Sequence, residues 1–165
     1  HLFPLSKEAQ QLCPGRKLPR PVIWENVTFG FGICFDLRFP ELFRYQNSQQ
    51  IDVFLLCAQW PLKRRGHWQT LLKARAIENQ SYFLASNACG PSMLGELAGN
   101  SCLISPWGEE IFCLNSFPGL NCSFFDPQAV ENSKSLFQTG TSSFFKVQAE
   151  NDWTSETLNQ SKSIK

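Results

Sequence analysis

Gly32-Ile33-Cys34-Phe35-Asp36-Leu37-Arg38-Phe39-Pro40-Glu41 carries more information than any other stretch of this 165-residue chain. It ends an apolar run over 27–34, with glycines at 30 and 32, and leads into a predicted helix over 40–45. Proline at the first helical position suits that reading, because its missing N–H is one the helix does not use. A strand therefore gives way to a helix at Cys34. A side chain at such a junction stands at the carboxyl edge of a sheet, where open α/β sheets collect their ligands. A sharp turn there also aims backbone N–H groups at the space beside the thiol, and a helix N-terminus favours the thiolate. From the residues alone two readings stay open. Cys34 is a nucleophile, or it is a core cysteine beside a surface Asp–Arg–Glu cluster.

Working outward, residues 1–21 read as loop, punctuated by Pro4, Pro14, Gly15, Pro19 and Pro21. Residues 22–34 read as one or two strands. The β-branched and apolar run 51–57 predicts a strand buried on both faces. After a loop over 58–66, Trp68, Leu71, Leu72, Ala76 and Asn79 recur at helical spacing and predict a helix over 67–80. A strand over 81–88 comes next, then a Gly/Pro/Ser loop through Gly99. Strands over 101–105 and 110–114 flank the turn Pro106-Trp107-Gly108. A further strand is predicted over 120–125 and a helix over 127–136. Beyond 147 the chain turns polar, with Trp153, Leu158 and Ile164 as isolated apolar residues, which predicts a tail that is disordered or docked on a partner. The order implies mixed α/β with at least one parallel βαβ unit, and a two-sheet core with outer helices fits it.

Composition narrows the classes. Lys and Arg number 15 against 14 Asp and Glu, a formal net charge of +1, which argues against a phosphate-backbone binder. Hydrophobic residues make up 42% and aromatics 13%, enough for a sizeable core. No apolar run approaches the ~20 residues of a membrane helix, so no membrane partner is expected. Seven cysteines, at 13, 34, 57, 89, 102, 113 and 122, include no CxxC and fit no zinc module, so no metal is expected. Most lie in apolar runs and read as small buried hydrophobes of a reducing compartment, the cytoplasm. The chain begins at His1 rather than Met, which reads as a processed product or a fragment.

The segment around Cys34 resembles the nucleophile motif of the nitrilase (carbon–nitrogen hydrolase) superfamily, Gly-x-x-Cys-Tyr-Asp-x-Arg-Phe-Pro-Glu. Three further matches come in the family's order. Ala58-Gln59-Trp60-Pro61 with Arg64 and His67-Trp68 is similar to the substrate loop of the omega-amidase-like branch. Residues 71–82 resemble its helix-to-strand segment, and Gly99-Asn100-Ser101 through Pro106-Trp107-Gly108 resembles its hairpin. His1-Leu2-Phe3 with Glu8 is similar to the family's residues just after the catalytic lysine. The resemblance covers residues 1–146, as the C-terminal portion of one hydrolase domain, with 147–165 as the tail. It implies a four-layer α/β/β/α sandwich, a homodimer or larger assembly, and no cofactor.

It also implies a reaction: hydrolysis of a small carboxylate-bearing amide of 2-oxoglutaramate type to carboxylate and ammonia, through a cysteine thioester. The family uses a Glu–Lys–Cys triad. Cys34 corresponds to the nucleophile, the Phe35 N–H to an oxyanion donor, and Glu8 to a second glutamate that orients the lysine. The lysine and general-base glutamate match positions before His1, so residues 1–165 alone are expected to be inactive. Phe35 replaces the usual Tyr, and Asn100 a common acidic residue. Alternatives are an amidase for deaminated glutathione or another amide or N-carbamoyl compound, or a non-catalytic truncated relic. Such a relic would expose sheet edges and apolar surface and is expected to aggregate.

Other residues keep two readings. Arg64 binds a substrate carboxylate through a bidentate pair or is a solvated loop charge. Gln59 and Trp60 belong to the same substrate loop, although Trp60, Trp68 and Trp107 are equally readable as core. His67 reads as a structural hydrogen-bonding residue. Arg75 and Glu78, three apart on one helix, read as structural ion-pairing residues, with each other or with Asp36, Arg38 and Glu41. Gly30-Phe31-Gly32 is no dinucleotide loop, since Phe35 stands where a third glycine is required.

Overall fold

The computed structural model describes residues 10, 12–93 and 95–137. Glu8, the match at 1–3 and the tail at 147–165 lie outside the described residues. Six strands form one sheet in the order β1-β2-β3-β4-β7-β8. They are β1 (Val22–Trp24), β2 (Val27–Ile33), β3 (Val53–Ala58), β4 (Tyr82–Asn87), β7 (Cys102–Ile104) and β8 (Glu110–Cys113). β2, β3 and β4 run parallel, while β1, β7 and β8 add antiparallel flanks. β5 (Cys89–Ser92) and β6 (Gly95–Ala98) pair separately as a two-stranded hairpin. The parallel crossovers are α1 (Pro40–Asn47) and α2 (Arg65–Asn79); α3 (Pro127–Phe137) closes the described chain.

Period-two alternation sorts the central strands onto two faces. Phe54 and Leu56 of β3, with Phe83 and Ala85 of β4, join Leu42 and Phe43 of α1 and Trp68, Leu72 and Ala76 of α2 in one buried cluster. Full burial of each such large side chain stabilises the fold by roughly 1.5–3 kcal/mol. Phe43, Phe54 and Phe83 pack ring against ring at centroid distances of 4.8–5.4 Å. The glycines of β2 make this possible. A Cβ on Gly30 would lie 2.4 Å from the Phe54 ring, and one on Gly32 would lie 2.8 Å from Leu56 and 3.0 Å from Phe43.

The opposite face carries Val53, Tyr82 and Leu103, met by Val130 of α3 and by Phe125. Here the described residues leave part of the face open. Leu84 is 41% exposed, and a groove of about 280 Å³ opens between Trp24, Phe29, Leu55, Tyr82, Leu103 and Phe125. The architecture is thus the mixed α/β expected, seen as a six-stranded sheet with α1 and α2 on one face and α3 on the other.

Three expectations are corrected. The cysteines are mostly not buried: Cys13, Cys57, Cys113 and Cys122 are exposed, and Cys102 alone is buried. Residues 120–125 form no strand: Leu120 is 90% and Phe124 94% exposed, and the run enters neither of the described sheets. The stretch read as loop up to Gly99 holds the β5–β6 hairpin instead. Its Gly, Pro and Ser residues carry no strand signal, and tertiary bonds hold it: the Ala98 N–H donates to the Trp60 carbonyl at 2.8 Å. The helix over 127–136 does form, started by Asp126, whose carboxylate accepts the Gln128 N–H at 3.0 Å. No helix among the described residues is long and apolar enough to cross a membrane.

Candidate active site

Cys34 begins a 3-10 turn over Cys34–Arg38 directly after β2, half-buried, with a backbone φ of +48°. A non-glycine residue in the left-handed region after a strand stores about 1–3 kcal/mol of strain, and such strain collects at functional sites. The turn is held from several sides. Buried Asp36 accepts the Ile33 N–H on its carboxylate at 3.1 Å, and its carbonyl accepts the Phe39 N–H at 3.0 Å. From beneath, buried Arg75 of α2 donates Nε–H to the Leu37 carbonyl at 3.2 Å. Arg75 is in turn fixed by Glu78 at 2.8 Å, and Glu78 also pairs with Arg44 of α1 at 2.7 Å. The Arg75–Glu78 pair is therefore structural, as expected, with Arg44 as its third member. The Phe35 N–H sits in the first positions of the turn, where backbone donors have no intrahelical acceptor.

The neighbouring strand ends converge on the same edge. β3 runs through Ala58 into Gln59, which is exposed, and Trp60, which is 2% exposed. Asn87 at the end of β4 grips this loop. Its Oδ1 accepts the Trp60 N–H at 2.7 Å, while its Nδ2 donates to the Gly99 carbonyl at 2.7 Å. The Trp60 indole N–H donates to the Arg64 carbonyl at 2.8 Å, leaving the Arg64 side chain exposed. Trp68 packs at 5.5 Å from Trp60 and donates its indole N–H to the Asn100 carbonyl at 2.9 Å. Both tryptophans are buried core residues; Trp107 is 41% exposed and lies apart, against Phe137.

One bridge joins the turn to the loop. The Arg38 guanidinium lies over the Phe35 ring at 5.5 Å and over the Trp60 ring at 5.0 Å, and meets His67 Nδ1 at 3.3 Å. Cys34, Phe35, Gln59 and Trp60 are thus brought to one sheet edge, with Arg64 on the same loop. Sequence reasoning does not single out Asn87 or the role of Arg38. Asn87 has no motif to mark it; the Arg38 stacking needs the fold to bring Trp60 across. His67 has the structural hydrogen bond expected of it. Among the described residues no group of His, Cys, Asp or Glu gathers that could hold a metal ion.

A strained turn at the carboxyl edge of a parallel sheet, braced by a buried arginine, places this chain among α/β proteins with a site built at strand ends. The carbon–nitrogen hydrolase family model matches residues 1–120. A "hydrolase in agr operon" of Staphylococcus lugdunensis is 40% identical over 135 residues, 81% of this chain and 58% of that protein. A 2-oxoglutaramate amidase of Bacillus subtilis is 47% identical over 111 residues, 67% of this chain and 42% of that protein. Among solved structures, a CN-hydrolase superfamily protein of Xanthomonas campestris, with an arsenic adduct in its active site, matches with a TM-score of 0.81 and 27% identity. That match covers 90% of this chain and 58% of the other. An amidase of Nesterenkonia, captured after Michael addition of acrylamide at its active-site cysteine, matches with a TM-score of 0.67 and 26% identity, covering 72% of this chain and 46% of the other. The chain belongs to the carbon–nitrogen hydrolase family. It spans about half the length of the curated relatives it matches.

Proposed function

We propose that the complete protein hydrolyses the C–N bond of a small carboxylate-bearing amide of 2-oxoglutaramate type, through a thioester on Cys34. The observation that carries this reading is the left-handed Cys34 turn at the sheet's carboxyl edge, in a chain 47% identical over 111 residues to a 2-oxoglutaramate amidase. The Cys34 thiolate attacks the amide carbonyl carbon, and the Phe35 N–H donates to the oxyanion that forms. A lysine supplied by the complete protein adds a positive charge there, and a glutamate passes a proton to the departing ammonia. The same carboxylate then activates water against the thioester, which releases the acid and restores the thiol. Glu8 orients the lysine in this reading. No cofactor enters the reaction.

Gln59, Trp60 and Arg64 form the substrate side. The exposed Arg64 guanidinium takes the substrate's distal carboxylate in a bidentate pair, while Trp60, clamped by Asn87 and Arg38, sets where the loop lies.

The test uses the complete protein and a panel of amides that includes 2-oxoglutaramate, deaminated glutathione and a neutral amide of similar length. Cys34→Ala should bring ammonia release down to the buffer rate with an unchanged circular dichroism spectrum; retained release would sink the nucleophile assignment. Arg64→Ala should raise KM for the carboxylate-bearing amides by about tenfold and leave the neutral amide alone, as expected for loss of one charge-assisted pair. Equal effects on both would remove Arg64 from recognition. A preference for deaminated glutathione over 2-oxoglutaramate would keep the reaction type and replace the substrate.

A further inference from the structure

Away from the candidate site, two cysteines face each other across the β7–β8 ladder. Cys102 is paired in register with Cys113. The Leu114 N–H donates to the Ser101 carbonyl at 2.8 Å, so the ladder bond flanks the cysteine pair instead of joining it. That makes Cys102 and Cys113 a non-hydrogen-bonded pair, the kind in which opposite Cα atoms approach to about 4.5 Å and side chains lie closest. Directly opposed residues share a face of the sheet. The distance falls within the ~4.4–6.8 Å Cα window that a disulfide spans without backbone movement.

The two thiols differ in access. Cys102 is buried in the helix-side core, while Cys113 is exposed at the sheet's flank. Around them stand Lys73 of α2 and Glu110 of β8, paired at 2.8 Å, and Asn100, whose Nδ2 donates to the Cys113 sulfur at 3.9 Å. None of the described cysteines is in a disulfide in this structure.

We infer that Cys102 and Cys113 form an oxidisable dithiol that closes into a cross-strand disulfide when a peroxide reaches the exposed Cys113. The Cys113 thiol gives up its proton, and its sulfur attacks one peroxide oxygen. The O–O bond breaks, and a sulfenic acid and one water result. The Cys102 sulfur then attacks the sulfenic sulfur, forming S–S and expelling a second water as its own proton leaves. In balance, two thiols and one hydrogen peroxide give one disulfide and two waters. A dithiol reductant reverses it. Burial pushes the Cys102 thiol up, and the charge of Cys113 adds to that push, an electrostatic trace of the same proximity. Closure speeds up with pH because both sulfurs react as thiolates. The ionisable groups that meet there are the two thiols, Lys73 and Glu110.

The experiment treats the complete protein with hydrogen peroxide, blocks remaining thiols by alkylation, and cleaves after glutamate without reduction. Glu109 and Glu110 lie between the two cysteines, so cleavage separates them unless they are linked. The expected product is a linked peptide pair, lighter by two hydrogens than the separate thiol peptides and split by dithiothreitol. It should persist in Cys122→Ser, whose cysteine shares the second peptide, and vanish in Cys113→Ser and in Cys102→Ser. A link that survives Cys113→Ser, or Cys113 found overoxidised beside an alkylated Cys102 with no linked pair, would overturn the inference.

Discussion

The two ends of the parallel strands are built on opposite terms. At the amino end, polar groups close on one another. Asp52 accepts the Thr28 N–H at 2.9 Å and pairs with Lys134 of α3 at 3.4 Å, while the Ser81 hydroxyl donates to the Ile51 carbonyl at 2.8 Å. Gln80 donates its side-chain amide to the Ser133 carbonyl. At the carboxyl end, the bonds hold a loop and a turn in place and leave Gln59 and the Arg64 side chain exposed, with Cys34 half-buried against the helix-side core. Left-handed backbone occurs at both ends, at Gln80 (φ +54°) and at Cys34 (φ +48°). Gln80 caps a helix, where that conformation is common; Cys34 comes after a strand, where only the surrounding structure enforces it. One end is a seam and the other is a mount for chemistry.

Three substitutions break or sharpen this contrast. Cys34→Gly has the largest effect: activity of the complete protein should disappear, while thermal stability stays level or rises by up to about 1 kcal/mol as strain is relieved. A large loss of stability instead would show that the turn is unstrained. Asn87→Ala comes next, because it orphans the buried Trp60 N–H and Gly99 carbonyl. Denaturant titration should show a loss of about 2–4 kcal/mol, with activity falling in step as the substrate loop slackens. Asp52→Ala tests the seam and should cost about 1–2 kcal/mol with kcat unchanged; a matching loss of kcat would erase the distinction between the ends.

The last test is a slope, and it belongs to neither end. Burial pushes the Cys102 thiol up from 9.0 to about 12. Between those values the folded chain keeps a proton that the unfolded chain has released, so stability falls as pH rises through that window. Cys102→Ala should flatten that alkaline decline in melting temperature, and an unchanged slope would deny Cys102 a part in it.

The mount is more legible than its supports. Apolar runs and helical spacing show β2, β3, β4 and α2 because those elements are buried by local pattern, and the cysteine motif sits at a junction that pattern already marks. Asn87 is invisible for the opposite reason: its value lies in the two backbone groups brought to it from residues 60 and 99, which no spacing reveals. The β5–β6 hairpin is hidden likewise, since pairing with the Trp60 loop supplies what its Gly, Pro and Ser residues lack. Residues 120–125 mislead in reverse. Their apolar character resembles a strand, yet a strand is a relation between neighbours, and these residues enter no ladder of the described sheets.

Gln46 shows what that relation is worth when a side chain supplies it. Fully buried on α1, it accepts the Phe31 N–H at 2.9 Å and donates to the Phe31 carbonyl at 2.8 Å, beyond the point where β1 stops pairing with β2. One amide thus imitates a neighbouring strand. It presents a counterfeit peptide to that stretch of β2, so that another chain arriving there finds the docking bonds already taken.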